Sequence, residues 1–109
     1  MAIDAIYPSL KDKTVLITGG GSGIGEALTR AFIAQRAKVG FLDYDKAASE
    51  TLASELNSPD LHFEYCDLRD IDALKAAVKA VSSKLGPIRI LVNNAARDDR
   101  HTLESVTSD

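Results

Sequence analysis

The 109 residues are 45% hydrophobic, 27% charged and 6% aromatic, a length suited to one domain with enough apolar material for a packed core. Thirteen Lys and Arg against 16 Asp and Glu leave a formal charge of −3, which argues against a nucleic-acid-binding or acidic-membrane-binding face. The longest uninterrupted apolar run, Ala31-Phe32-Ile33-Ala34, is far short of a membrane span, and the lone Cys66 excludes an internal disulfide framework and a Cys-rich zinc site.

Taken in chain order, short apolar runs alternate with helical periodicities. Thr14-Val15-Leu16-Ile17 is apolar and β-branched, as a strand buried on both faces requires. Glycines follow at once, and Ile24, Leu28, Ala31 and Phe32 then recur at helical spacing as far as Arg36. Lys38 to Leu42 reads as a second strand, closed by Asp43. Ala48, Leu52 and Leu56 form one stripe of a second helix that ends before Asn57-Ser58-Pro59. Leu61 to Cys66 is a third strand, in which His62 and Glu64 alternate with Phe63 and Tyr65. Ile71, Leu74, Val78, Val81 and Leu85 mark a third helix, with Asp70 as N-cap and Gly86-Pro87 as its stop. Arg89 to Val92 is the fourth strand, running into Asn93-Asn94-Ala95-Ala96.

This β-α-β-α-β-α-β order predicts an α/β fold, a doubly wound parallel sheet of the Rossmann type. Its strand order should be 3-2-1-4, with the ligand crevice where the order reverses, between the first and fourth strands. The fourth strand would then form an exposed apolar edge, and the third helix alone would cover one sheet face. Beyond Ala96 the chain turns polar, and Thr107-Ser108-Asp109 reads as the start of a further helix. The expectation is one nucleotide-binding domain over 1–109, the N-terminal portion of a longer protein.

Thr18 to Gly25 joins the first strand to the first helix. Glycines at such a junction let backbone approach a ligand closely, and the helix N-terminus offers free N–H groups to a pyrophosphate. Gly20 and Gly25 have the separation of a P-loop, but Glu26 stands where its lysine belongs, which rejects an ATP or GTP site of that type. Gly-x-Gly-x-x-Gly fails in every register. Thr-Gly-x-x-x-Gly-x-Gly fits, through Thr18, Gly19, Gly23 and Gly25.

Asp43 lies 18 positions after Gly25, close to the offset at which an acid can accept hydrogen bonds from an adenosine ribose. A carboxylate there repels a 2′-phosphate, and neither Tyr44 nor Ser22 offers a cation for one, so the pattern favours NAD(H) over NADP(H). The competing reading is that Asp43 merely opens a turn. Asp67 ends up at the same edge of the sheet, where a turn acid or helix-dipole partner would serve equally well. Asn93 to Ala96 leaves the fourth strand beside the first with small residues that admit close backbone contact, as any tight turn could use.

Together, Thr18-Gly19…Gly23-Ile24-Gly25, Asp43, Asp67-Leu68 and Asn93-Asn94-Ala95-Ala96 resemble the short-chain dehydrogenase/reductase family, over essentially the whole chain and in the family's order. The resemblance implies that Gly19, Ser22, Gly23, Ile24 and Gly25 hold the pyrophosphate and that Asp43 selects NAD. It also implies that Asp67 and Leu68 flank the adenine and that the turn at Asn93 and Ala95 supports the sheet beside the cofactor. Ala96 departs from the family's usual glycine. Ala5 to Lys11 and the loop Asp98-Asp99-Arg100-His101 look, more narrowly, like NAD-dependent aldose 1-dehydrogenases of the D-xylose type. That loop could hydrogen-bond a polyol, or be a charge-balanced surface loop.

The family's catalytic serine and Tyr-x-x-x-Lys pair find no match here. Tyr7-Pro8-Ser9-Leu10-Lys11 has the spacing, but it precedes the first strand and Pro8 disfavours a helix. His62 and His101 read as isolated, with no metal-ligand spacing, and Cys66 as a small buried residue at a strand end. No catalytic or metal-binding residue is therefore assigned within the chain. The single cysteine makes a reduced, cytoplasmic setting the default expectation, and the resemblance implies a homo-oligomeric enzyme moving hydride between an alcohol or sugar and NAD. The rivals are a 3-oxoacyl or hydroxysteroid reductase of the same family and a non-catalytic nucleotide-binding module.

Overall fold

The computed structural model describes residues 8–21 and 23–94. After a 3-10 turn at Pro8–Leu10 come β1 (Thr14–Thr18), α1 (Gly23–Ala34), β2 (Lys38–Asp43) and α2 (Lys46–Leu56). β3 (Leu61–Tyr65), α3 (Ile71–Leu85) and β4 (Ile88–Asn93) follow. The strands are parallel in the order β3-β2-β1-β4, as the alternation of elements predicts, so all four end at one carboxyl edge. The short 3-10 turn corrects the expectation that Pro8 keeps its segment free of helix: proline is tolerated in a first turn, where its missing N–H is not needed.

The sheet is filled from both sides. Val15 and Ile17 of β1 join Val39 and Phe41 of β2, and α1 and α2 cover this face with Leu28, Phe32 and Leu52. Phe41 stacks on Phe63 of β3 with centroids 5.1 Å apart. Leu16 and Leu42 point the other way, onto Leu74, Ala77, Val81 and Leu85 of α3. Alternation along a strand explains why one uninterrupted apolar run supplies both cores. β4 pairs with β1, and its Leu91 remains 42% exposed on the outer part of the α3 face.

Element ends differ from the periodicity by a residue or two. α1 stops at Ala34 rather than Arg36 because the chain closes a Schellman turn: Ala37 N–H donates to Phe32 O at 3.1 Å and Arg36 N–H to Ile33 O at 2.9 Å. Arg36 takes the left-handed φ of 64° that such a turn demands, a conformation not readable from an arginine. Asn57 does the same after α2, with φ 42°. Asp70 caps α3 as expected, its carboxylate accepting from the N–H groups of Asp72 and Ala73 at 3.1 Å each, and Gly86 ends that helix.

Candidate functional site

β1 delivers Thr18 to the carboxyl edge, where the chain leaves the sheet. Gly19 N–H donates to Leu42 O at 2.7 Å, and Gly19 and Gly23 adopt φ of 68° and 60°. Gly25 lies so close to the incoming backbone that a Cβ there would stand 1.7 Å from Gly19 O and 2.7 Å from Asn94 Nδ2. Only glycine fits. Gly23 opens α1, whose first N–H groups have no acceptor within the helix, and Ile24 beside them is 74% exposed. Thr29, buried one turn on, directs its hydroxyl at Gly25 O (2.9 Å) and Gly20 O (3.1 Å), tying the loop to α1.

Asp43 closes β2 directly beneath this loop and is 8% exposed. Its Oδ2 accepts Gly21 N–H at 3.0 Å, and Oδ1 accepts Asp45 N–H at 2.9 Å. The carboxylate thus links the glycine loop to the turn that starts α2. A Cβ on Gly21 would collide with Ser49 Oγ, 2.3 Å away, and approach Asp43 Oδ2 to 2.9 Å. Ser49 is fully buried and its hydroxyl has no hydrogen-bond partner, a condition that costs about 1–3 kcal/mol.

The fourth strand closes the other side. Thr18 Oγ1 donates to Asn93 Oδ1 at 3.0 Å and accepts Asn94 N–H at 3.1 Å, while Asn94 Nδ2 donates to Gly19 O at 3.0 Å. Asn94 therefore clamps the first residue of the glycine loop to the end of β4.

Asp67 and Leu68 follow β3 on the far side of β2. Asp67 accepts Arg69 N–H at 3.0 Å and pairs with the Arg69 guanidinium, the local duty of a turn acid, and Leu68 packs toward the α3 core. Cys66, between β3 and this turn, is buried as expected; burial, with Asp67, Asp70 and Glu64 nearby, pushes its thiol up to about 11. His62 is not isolated, because the strand period places it beside Glu64, with its Nε2 on the Glu64 carboxylate.

The fold thus gathers Gly19, Gly23, Ile24, Gly25, Asp43 and Asn93 around the ends of β1, β2 and β4, with Asp67 and Leu68 one strand further out. Ser22 and Ala95 lie outside the described residues, as do Asp98 to His101. Sequence reasoning missed Thr29, Ser49 and the side-chain role of Asn94. Asn94 stood inside a recognised motif, whereas Thr29 and Ser49 carry no signal apart from a small polar residue at a core-facing helical position.

The family model for short chain dehydrogenase matches residues 13–109. The chain is 47% identical over 108 residues to a probable galactose dehydrogenase of Rhizobium meliloti and 49% identical over 105 residues to D-xylose 1-dehydrogenase of Caulobacter vibrioides. Each match covers 94% of this chain and 41% of the relative, so the chain spans about two fifths of the length of these curated proteins. Among solved structures, 3-ketoacyl-(acyl-carrier-protein) reductase from Brucella melitensis complexed with NADH superposes with a TM-score of 0.71. It is 39% identical, over 75% of this chain and 34% of that one. The family match begins at the residue before β1 and leaves no part of the sheet outside it, and the chain belongs to the short-chain dehydrogenase family.

Proposed function

We propose that these residues are the coenzyme-binding part of an NAD-dependent oxidoreductase whose complete protein oxidises or reduces an aldose or other polyol. Members of the family take NAD or NADP, and the site here suits such a group on its own geometry. At Gly25 a side chain is sterically barred, which keeps backbone rather than side chains at the mouth of α1. Gly19, Ser22, Gly23, Ile24 and Gly25 hold the pyrophosphate, Asp43 accepts the ribose hydroxyls, Asp67 and Leu68 border the adenine, and Asn93 and Ala95 support the β4 side. When bound, the nicotinamide supplies or accepts the hydride. The acid–base residues come from the rest of the protein.

The observation that carries the NAD preference is the carboxylate of Asp43, held on two backbone amides at the end of β2. A fixed negative charge there accepts ribose hydroxyls and opposes a 2′-phosphate. The sugar reading is supported by the two relatives at 47% and 49% identity, a probable galactose dehydrogenase and a D-xylose 1-dehydrogenase. A cytoplasmic homo-oligomer accords with this reading and with a free cysteine; no helix among the described residues is long and apolar enough to cross a membrane.

Nucleotide fluorescence titrations on the full-length protein test the cofactor half. NADH should bind at least about tenfold more tightly than NADPH, and Asp43→Ala should weaken NADH and erase the preference, a change of roughly 1.4 kcal/mol or more. Equal affinities in both proteins would remove the ribose assignment. NADH absorbance across D-xylose, D-galactose, galactitol, 3-oxoacyl thioesters and hydroxysteroids tests the substrate half. Turnover confined to thioesters would favour a 3-oxoacyl reductase instead, a reading that the similarity to the Brucella reductase supports.

A further inference from the structure

Ser49 is the one buried side-chain polar group among the described residues that lacks a hydrogen-bond partner. Thr51, on the same helix, donates to Ala47 O at 2.9 Å, the usual local outlet for a helical hydroxyl. Ser49 has no such bond. Its Oγ and Asp43 Oδ2 lie 2.3 and 2.9 Å from the point where a Gly21 Cβ would stand, so hydroxyl and carboxylate border one small space under the loop. Within it, both protein donors already on Asp43 are backbone amides, those of Gly21 and Asp45.

We propose that Ser49 is a positioning residue for the coenzyme, acting through Asp43: its hydroxyl donates to Oδ2 when a ribose engages that carboxylate. The inference rests on the NAD reading above. A ribose hydroxyl that draws the carboxylate outward lengthens its bond to Gly21, whose amide is fixed by the loop. Ser49 follows by rotating about one side-chain bond and keeps a charge-assisted hydrogen bond on Asp43. The unliganded protein carries an unmet buried hydroxyl, and binding relieves it. Stability and affinity therefore respond to Ser49 with opposite signs.

The test is Ser49→Ala in the full-length protein, read by thermal melting without ligand and by NADH fluorescence titration. The variant is expected to melt at the same or a higher temperature and to bind NADH about five- to tenfold more weakly. Ser49→Cys, with similar volume and a weaker donor, should fall between, about two- to fourfold weaker. NADH affinity unchanged in Ser49→Ala overturns the proposal, as does weaker binding accompanied by a lower melting temperature, which assigns the loss to damaged packing. If Ser49→Ala does not fold, Ser49→Cys decides alone: weaker binding at an unchanged melting temperature supports the role, and unchanged affinity overturns it. Wild-type protein that binds no NADH removes the underlying NAD reading as well, an outcome distinct from normal wild-type binding that the variants leave untouched.

Discussion

Two strand-to-helix turns stand at the same edge of this sheet and are built on opposite principles. The β3–α3 turn holds itself: Asp67 binds Arg69, and Asp70 caps the helix two and three residues on. The β1–α1 loop is held from outside by Leu42 and Asp43 of β2, Thr29 of α1 and Asn94 after β4, while Ser49 of α2 fills the space below Gly21. A turn satisfied by its own side chains tolerates change residue by residue. A loop made of glycine backbone has no side chains with which to hold itself, so its shape belongs to its neighbours.

The sharpest way to break this contrast is Gly25→Ala. The added methyl meets the backbone oxygen of Gly19, which no rotamer change can relieve, and the loop must move. Denaturant unfolding should show a loss of at least about 3 kcal/mol, with NADH binding abolished. A loss below about 1 kcal/mol would mean that the loop yields as easily as the β3–α3 turn.

The next effect lies where the local turn touches the sheet. Cys66 donates its N–H to Asp43 O at 3.0 Å, and its buried thiol is pushed up to about 11 from an ordinary 9.0. A group raised by folding adds stability that is complete below its unfolded pKa and is lost as pH climbs to the folded one. Between pH 9 and 11 wild type should therefore lose up to about 2 kcal/mol more stability than Cys66→Ala, measured by urea unfolding at each pH. Parallel pH profiles would show the thiol to be accessible.

Smaller effects belong to the self-contained turn. Asp70→Ala removes the cap from two N–H groups and should cost about 1 kcal/mol, with no change in NADH affinity. Asp67→Ala breaks an exposed pair and should cost no more than about 0.5 kcal/mol in stability. Its effect on NADH affinity sharpens the comparison instead: weaker binding places Asp67 at the adenine, and unchanged binding leaves it a turn acid.

Legibility followed the same division. The strands, the helices, the parallel order and the Asp70 cap were all readable, because each depends on period, composition or a neighbour a few residues away. Gly19, Gly23, Gly25 and Asp43 were readable as a pattern, and the structure does bring them to one edge. The end of α1 was not, since Arg36 enters the left-handed region only because Ala37 and Phe32 close the turn. The pairing of His62 with Glu64 follows from the strand period, which puts residues two apart on one face.

By itself, then, the order of residues determined the layers, the sheet and the edge to which the glycine loop and Asp43 are delivered, since burial and helix periodicity are properties of short stretches. Tertiary structure alone decided that Asp43 reaches back to Gly21, that Asn94 grips Gly19, and that Ser49 lies under the loop without a partner. These pairs are 22, 75 and 28 residues apart in the chain. No local rule couples positions so distant; only the packing of α1, α2 and β4 around one sheet edge brings them within a hydrogen bond or a van der Waals radius of each other.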